Sequence, residues 1–292
     1  MKVREHSYGQ NHFLYANYIK LCYYLNMKNE NLSSLIKHFL QKGRYSFEKT
    51  EAIKLLDCNT PSFINSANRL AKKKELALVR EGFYIIIPPQ HFSLGCLPAD
   101  WFIDDLMKYL GQPYYTSLLS AASYYGASHQ QPQRFQVMTN KQTRAISIGN
   151  VSIEFIVKKT MPDVGINKIN SYTGAIDISS PELTMMDVCD YPKHAGYIHN
   201  MAQVITDLTD SVNKDKFKEL LKKLPVKTTM LQRLGYLLDI TEHEELSEVV
   251  YAALSLRKPV NYIWLSPGED LDVIEKNERW NINVNEEVEL DI

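Results

Sequence analysis

The chain has 292 residues, of which 45% are hydrophobic and 23% charged, with 12 Gly and 12 Pro. That length predicts two domains, and the balance excludes a mainly disordered, collagen-like or Pro-rich chain. The net charge of −1 hides a gradient: 14 Lys+Arg against 7 Asp+Glu in residues 1–90, 15 against 13 in residues 91–238, and 4 against 14 in residues 239–292.

A basic N-terminal third fits a polyanionic partner. The acidic end reads as a solubilising surface or as a shield over a basic one. No apolar run approaches the roughly 18–20 residues that span a bilayer. The start, MKVREHSYGQNHF, lacks the apolar stretch of a secretion signal, so a cytoplasmic location is expected. Cys22, Cys58, Cys96 and Cys189 form no Cys-x-x-Cys pair and are expected to be reduced thiols that pack as small hydrophobes.

In chain order, residues 1–30 read as an N-terminal extension whose Tyr-rich stretch 8–27 forms an amphipathic helix. Leu32, Leu35, Ile36, Phe39 and Leu40 then recur at helical spacing and Gly43 follows as a stop. Residues 45–47 read as an extended link and residues 49–56 as a second helix. A third helix starts at Thr60, the expected N-cap, with Pro61 at the first helical position, and runs to about Lys74. Residues 76–79 and 83–87 then read as a hairpin around Arg80, Glu81 and Gly82. Three short helices and a hairpin in about 60 residues is the order of a winged helix-turn-helix, expected over residues 31–91.

On a helical wheel the third helix places Phe63, Ile64, Ala67, Leu70 and Ala71 on one face. Ser62, Asn65, Arg69 and Lys72 lie on the other, with Asn68 and Lys73 at its margins. No Asp or Glu occurs between Thr60 and Lys74. Asn suits adenine edges, Arg suits guanine edges and Lys suits phosphate. The candidate DNA-binding residues are therefore Thr60, Ser62, Asn65, Asn68, Arg69, Lys72 and Lys73, with Arg80 at the hairpin turn.

Residues 92–113 read as a connector carrying a helix at 99–110. Residues 114–292 read as a larger α+β domain. Its expected elements are a helix at 114–125, strands at 134–139, 145–148 and 151–158, a helix at 183–190 capped by Ser180, and helices at 194–209, 214–223, 228–239 and 242–256. The stretch from 260 onward is mixed and acidic. The expected fold class is α+β, a winged helix-turn-helix followed by a larger mixed domain. No His-Glu-x-x-His, Gly-x-Ser-x-Gly, Walker or dinucleotide fingerprint occurs, so no catalytic residue, metal site or cofactor is expected. Asp187 and Asp190 share a helix face, and a helix-end or salt-bridge role is expected for them in preference to metal or acid–base work.

Six segments taken in order resemble the AbiEi-type antitoxins of type IV toxin–antitoxin systems. They are YYTSLLSAA from Tyr114, QPQRFQVMT from Gln131, SPELTMMDV from Ser180, RLGYLLD from Arg233, LSPG from Leu265 and RWNINVN from Arg279. The resemblance implies an N-terminal winged helix that represses its own operon by binding promoter inverted repeats. It also implies a C-terminal domain associated with antitoxicity, and a nucleotidyltransferase-like toxin that is counteracted without a stable complex. It implies no catalytic site. The first 30 residues are longer than the usual start of the family, and its DNA contacts follow no fixed motif, so the residues above rest on wheel geometry. The competing expectation is a ligand-responsive regulator without a toxin, since a domain of about 200 residues exceeds what DNA binding requires. A nucleotidyltransferase activity in this chain is disfavoured, because no Gly-Ser dipeptide opens the turn that chemistry needs.

Overall fold

The computed structural model describes residues 31–127, 132–257, 259–268 and 272–288. The Tyr-rich helix expected at 8–27 lies outside the described residues, as does Cys22. The chain divides into two compact units, one holding the residues up to Tyr109 with Ile148–Val151, the other Leu110–Ser147 with Ser152–Ile292. Among the described residues there are ten α-helices and three sheets, a mixed α+β architecture.

The smaller unit begins with α1 (Leu32–Gln41), whose N-cap Asn31 accepts from the Ser34 amide. Then come β1 (Ser46–Glu48), α2 (Lys49–Leu56), α3 (Thr60–Lys72), β2 (Leu76–Arg80) and β3 (Phe83–Ile86). Residues 45–47 are more than a link. Ser46 and Phe47 pair with Ile85 and Tyr84, giving a three-stranded sheet in the order β1-β3-β2. The pairing carries Phe47 into the core, stacked on Tyr84 at 5.6 Å, while Phe63 of α3 meets the same ring edge-on at 5.4 Å. Leu35, Ala52, Ala67 and Leu70 complete a core shared by all three helices and the sheet.

The helix expected over 99–110 is broken. A 3-10 turn at Ala99–Trp101 precedes α4 (Ile103–Leu110), because Phe102 leaves helical geometry at φ −134°. Tyr109 of α4 donates to the Glu81 carbonyl at 2.7 Å. Its hydroxyl also explains Gly82, which sits at φ +82° and where a Cβ would lie 2.5 Å from that oxygen.

The larger unit is built on six strands: β4 (Tyr114–Thr116), β5 (Phe135–Thr139), β6 (Ile146–Ile148), β7 (Val151–Val157), β8 (Ile166–Asn170) and β9 (Ala175–Ser179). Their order is β6-β7-β5-β4-β9-β8. β4 is antiparallel to β5 and parallel to β9, and β5 is parallel to β7. The helix expected at 114–125 is therefore half wrong. Tyr114, Tyr115 and Thr116 are a buried strand with neighbours on both sides, and only α5 (Leu118–Tyr124) is helical. Aromatic and β-branched residues favour a buried strand, and the small-residue run that looked helical starts after it. The chain turns between the two at Leu118, a bulky residue held at φ +52°, which stores backbone strain. The β8–β9 hairpin has no counterpart in the sequence-based expectations.

Five more helices follow: α6 (Pro181–Asp190), which packs on β9, then α7 (Tyr197–Thr209), α8 (Lys214–Lys223), α9 (Thr228–Ile240) and α10 (Glu244–Ser255), which pack chiefly on α6 and on one another. Ser180 caps α6 through the Leu183 amide at 3.3 Å. Every residue from Pro181 to Cys189 is buried, so α6 is the central helix of the unit. The stretch from 260 onward contains a third sheet, ordered β10-β12-β11, from β10 (Ile263–Trp264), β11 (Glu275–Asn277) and β12 (Ile282–Val284).

Candidate functional site

The candidate nucleic-acid surface is built on α3. Its cap is Asn59, which accepts from the Ser62 amide at 2.9 Å. Thr60, the expected cap, is instead the first helical residue, and the helix starts one position early because Asn59 already holds the extended geometry of a cap. Phe63, Ala67 and Leu70 are buried, but Ile64 is 39% exposed and Ala71 is exposed. The apolar stripe is thus narrower than the wheel predicted. Thr60, Ser62, Asn65, Asn68, Arg69, Lys72 and Lys73 are all exposed.

Arg69 has no carboxylate partner among the described residues. It donates to the Ser66 hydroxyl one turn back at 3.1 Å. Among the described residues no ion pair involves α3, whereas on the neighbouring elements Arg44 and Glu51 form a two-pronged pair with both contacts at 2.5 Å. The face is therefore a run of donors whose charge is not cancelled locally, the electrostatic form that a phosphate backbone attracts. Arg80 closes β2 and is half-buried, and the exposed residue of the two-residue hairpin loop is Glu81. The wheel residues share one surface. Arg80 belongs to the strand.

The larger unit holds a cavity of about 520 Å³ lined by parts of β7, α6, the segment after β7 and the start of α9. Lys158 and Asp187 line it, and their hydrogen-bond chain continues to Tyr115, which is not part of the lining. Lys158 donates to Asp187 Oδ1 at 2.6 Å, and the Tyr115 hydroxyl donates to Asp187 Oδ2 at 2.9 Å. Burial pushes the Asp187 carboxyl up, against the opposing pull of Lys158 and the Tyr115 hydrogen bond. Burial, with Asp187 beside it, also pushes the Tyr115 hydroxyl well up. For Lys158 burial acts downward but the neighbouring carboxylate outweighs it, and the ammonium is held above its ordinary range. Asp190 pairs with Lys227 at 2.8 Å. The Tyr191 ring lies between the two lysines, 5.5 Å from Lys158 Nζ and 5.4 Å from Lys227 Nζ.

Asp187 and Asp190 are thus each held in a salt bridge to a lysine. Among the described residues no group of three His, Cys, Asp or Glu is placed to hold a metal ion. Lys158, Lys227 and Tyr115 were not singled out from the sequence. Their partners lie 29, 37 and 72 residues away, and no local pattern links positions so far apart.

The segments picked out in the sequence mostly hold the larger unit together. Gln136, buried on β5, donates to the His194 carbonyl at 2.7 Å and accepts from the Leu119 amide at the start of α5. Glu182 accepts from the Asn213 amide at 2.8 Å. From α9, Gln232 donates to the carbonyls of Asn261, Trp280 and Asn281, and Arg233 to those of Leu265 and Trp264. Trp280 donates to Asp239 at 2.6 Å. Its ring lies against Gly235, where a Cβ would come within 2.1 Å of it, so only glycine fits there. Ser266 and Asn285 exchange two hydrogen bonds. These residues dock the third sheet onto α9.

Comparison with known proteins agrees with this picture. Residues 115–240 match the family described as the AbiEi antitoxin C-terminal domain. The fold is similar to that in a crystal structure of the RV2827C protein from Mycobacterium tuberculosis, with 15% sequence identity and a TM-score of 0.63 over 86% of this chain and 89% of that one. No curated protein matches the chain.

Proposed function

We propose that the chain, whose residues 115–240 match the AbiEi antitoxin C-terminal domain family, is a DNA-binding antitoxin and transcriptional autorepressor of a type IV toxin–antitoxin operon. In this reading it counteracts a nucleotidyltransferase-like toxin without needing a stable complex with it. The match to an antitoxin family implies a toxin partner, and the family is generally non-enzymatic. No helix among the described residues is long and apolar enough to cross a membrane.

The observation that carries the DNA half is the exposed, acid-free face of α3 with Asn65, Asn68, Arg69, Lys72 and Lys73. The order helix, strand, helix, helix, hairpin supports a winged helix-turn-helix over residues 31–91, with α3 as the recognition helix lying in the major groove. The residues expected to touch DNA are the exposed seven, with the half-buried Arg80 flanking them, and the target is the inverted repeats of the operon's own promoter. If that face meets about five phosphates, log K falls with log salt at a slope of about −4 to −5. Titrating upstream DNA at several salt concentrations measures it, and a slope near zero removes the DNA reading. Arg69→Ala is expected to cost roughly 1–3 kcal/mol on the upstream duplex and much less on a scrambled one if Arg69 reads a guanine. Equal losses on both make it a phosphate contact.

The cavity of the larger unit favours a second reading, a ligand-responsive regulator without a toxin. Rescue of growth when the chain is co-expressed with the neighbouring toxin gene separates the two.

A further inference from the structure

We propose that the cavity of the larger unit is a binding site for a small organic anion with an apolar body. Its volume of about 520 Å³ falls inside the range of roughly 300–1,000 Å³ typical of small-molecule sites. Met161, Leu183, Met186, Leu224 and Met230 supply apolar wall. Flexible thioethers adapt to an irregular guest.

The sign of the guest follows from the charges and their depth. Three ammonium groups, on Lys158, Lys159 and Lys227, line the cavity against two carboxylates, on Asp187 and Asp190. In each ion pair the carboxylate is the deeper partner. The Lys158 side chain is 20% exposed against 1% for Asp187, and Lys227 is 60% exposed against 16% for Asp190. Both Asp187 oxygens are already occupied, by Lys158 and Tyr115. Lys159 is exposed and has no ion-pair partner among the described residues. A guest entering from solvent therefore meets ammonium groups first and one uncompensated positive charge, then apolar wall. That ordering selects a carboxylate, sulfonate or phosphate head on an apolar body, and it disfavours a cation. The site stands apart from DNA binding and is tested separately.

The test titrates 8-anilinonaphthalene-1-sulfonate into the full chain and follows its fluorescence. The expected result is saturable binding at one site, displaced by octanoate but not by octylammonium or inorganic phosphate. Lys159→Met with Lys227→Met reverses the sign of the net lining charge and is expected to weaken binding roughly tenfold or more. Asp190→Asn, which removes a negative charge from the lining, is expected to tighten it. Both lysines are exposed, so a thermal melt checks that the double variant still folds. Absence of saturable binding overturns the proposal. So does unchanged affinity in the folded double variant, which would place the dye on exposed apolar surface such as Leu256. Displacement by octylammonium as strong as by octanoate overturns the assigned sign. Displacement by phosphate alone overturns the need for an apolar body.

Discussion

In the smaller unit the polar residues of interest stand outside the core. Asn65, Arg69 and Lys72 project from α3 into solvent, and the core beneath them is aromatic and aliphatic, with Phe47, Phe63 and Tyr84 in ring contact. In the larger unit the corresponding polar residues lie inside. Asp187, Tyr115, Glu182 and Gln136 are each at most 5% exposed and are all hydrogen-bonded. A side chain in solvent contributes little to stability, so its identity is open to selection by a partner. A buried polar group is costly unless paired, so its identity is tied to the fold. The contrast fits the match over residues 115–240, where Asp187, Tyr115, Glu182 and Gln136 serve the fold itself.

The contrast can be broken first at its most buried charge. Lys158→Met leaves Asp187 in the core without its cation, and a loss of about 3–5 kcal/mol is expected. Adding Asp187→Leu removes the stranded carboxyl and is expected to recover most of that loss. Urea denaturation of the single and double variants reads both, and a single variant within 1 kcal/mol of the parent would mean that the pair is solvated.

A smaller effect concerns pH. Burial pushes the Cys96 thiol up to about 11, from an ordinary value of 9.0, with the Leu97 backbone pulling weakly the other way. Above pH 9 the unfolded chain releases this proton while the folded chain keeps it, so stability falls as pH rises. The loss from this one group reaches about 1.4 kcal/mol by pH 10 and about 2.7 kcal/mol once pH passes 11. Burial raises Cys189 still further and so adds in the same direction. Cys96→Ala is expected to flatten the alkaline decline by about the first of these amounts between pH 8 and 10. Parallel curves for the two proteins would show Cys96 to be solvated.

The smallest effect belongs to the α3 face. Asn65→Ala, Arg69→Ala and Lys72→Ala are each expected to change stability by no more than about 0.5 kcal/mol, measured by the same denaturation. A larger loss in any of them would make that residue part of the packing and sharpen the boundary between surface and core.

How much was legible in the sequence follows the same divide. Amphipathic helices with caps read well: residues 49–56 and 214–223 match α2 and α8 at both ends, and Ser180 is the cap it was expected to be. Short strands read poorly where their identity depends on distant pairing. β1 is three residues long and is recognised by its contact with β3, and β4 hid beside a small-residue helix. β10, β11 and β12 are two or three residues each, too short for alternation to register. On the α3 face the wheel located the polar side well but widened the apolar side by Ile64 and Ala71, which mark its edge. The cavity could not be read at all, since its lysines and carboxylates meet only in the folded unit.

The central claim is that the α3 face reads DNA. It is tested most directly by fluorescence anisotropy of the full chain with its own upstream duplex and with a scrambled duplex of equal length, at low and at physiological salt, beside the Arg69→Ala variant. Tighter, salt-sensitive binding to the upstream duplex, with that preference lost in the stable Arg69→Ala protein, is the predicted result. Equal affinity for both duplexes at either salt would contradict it and leave the α3 face an ordinary solvated surface.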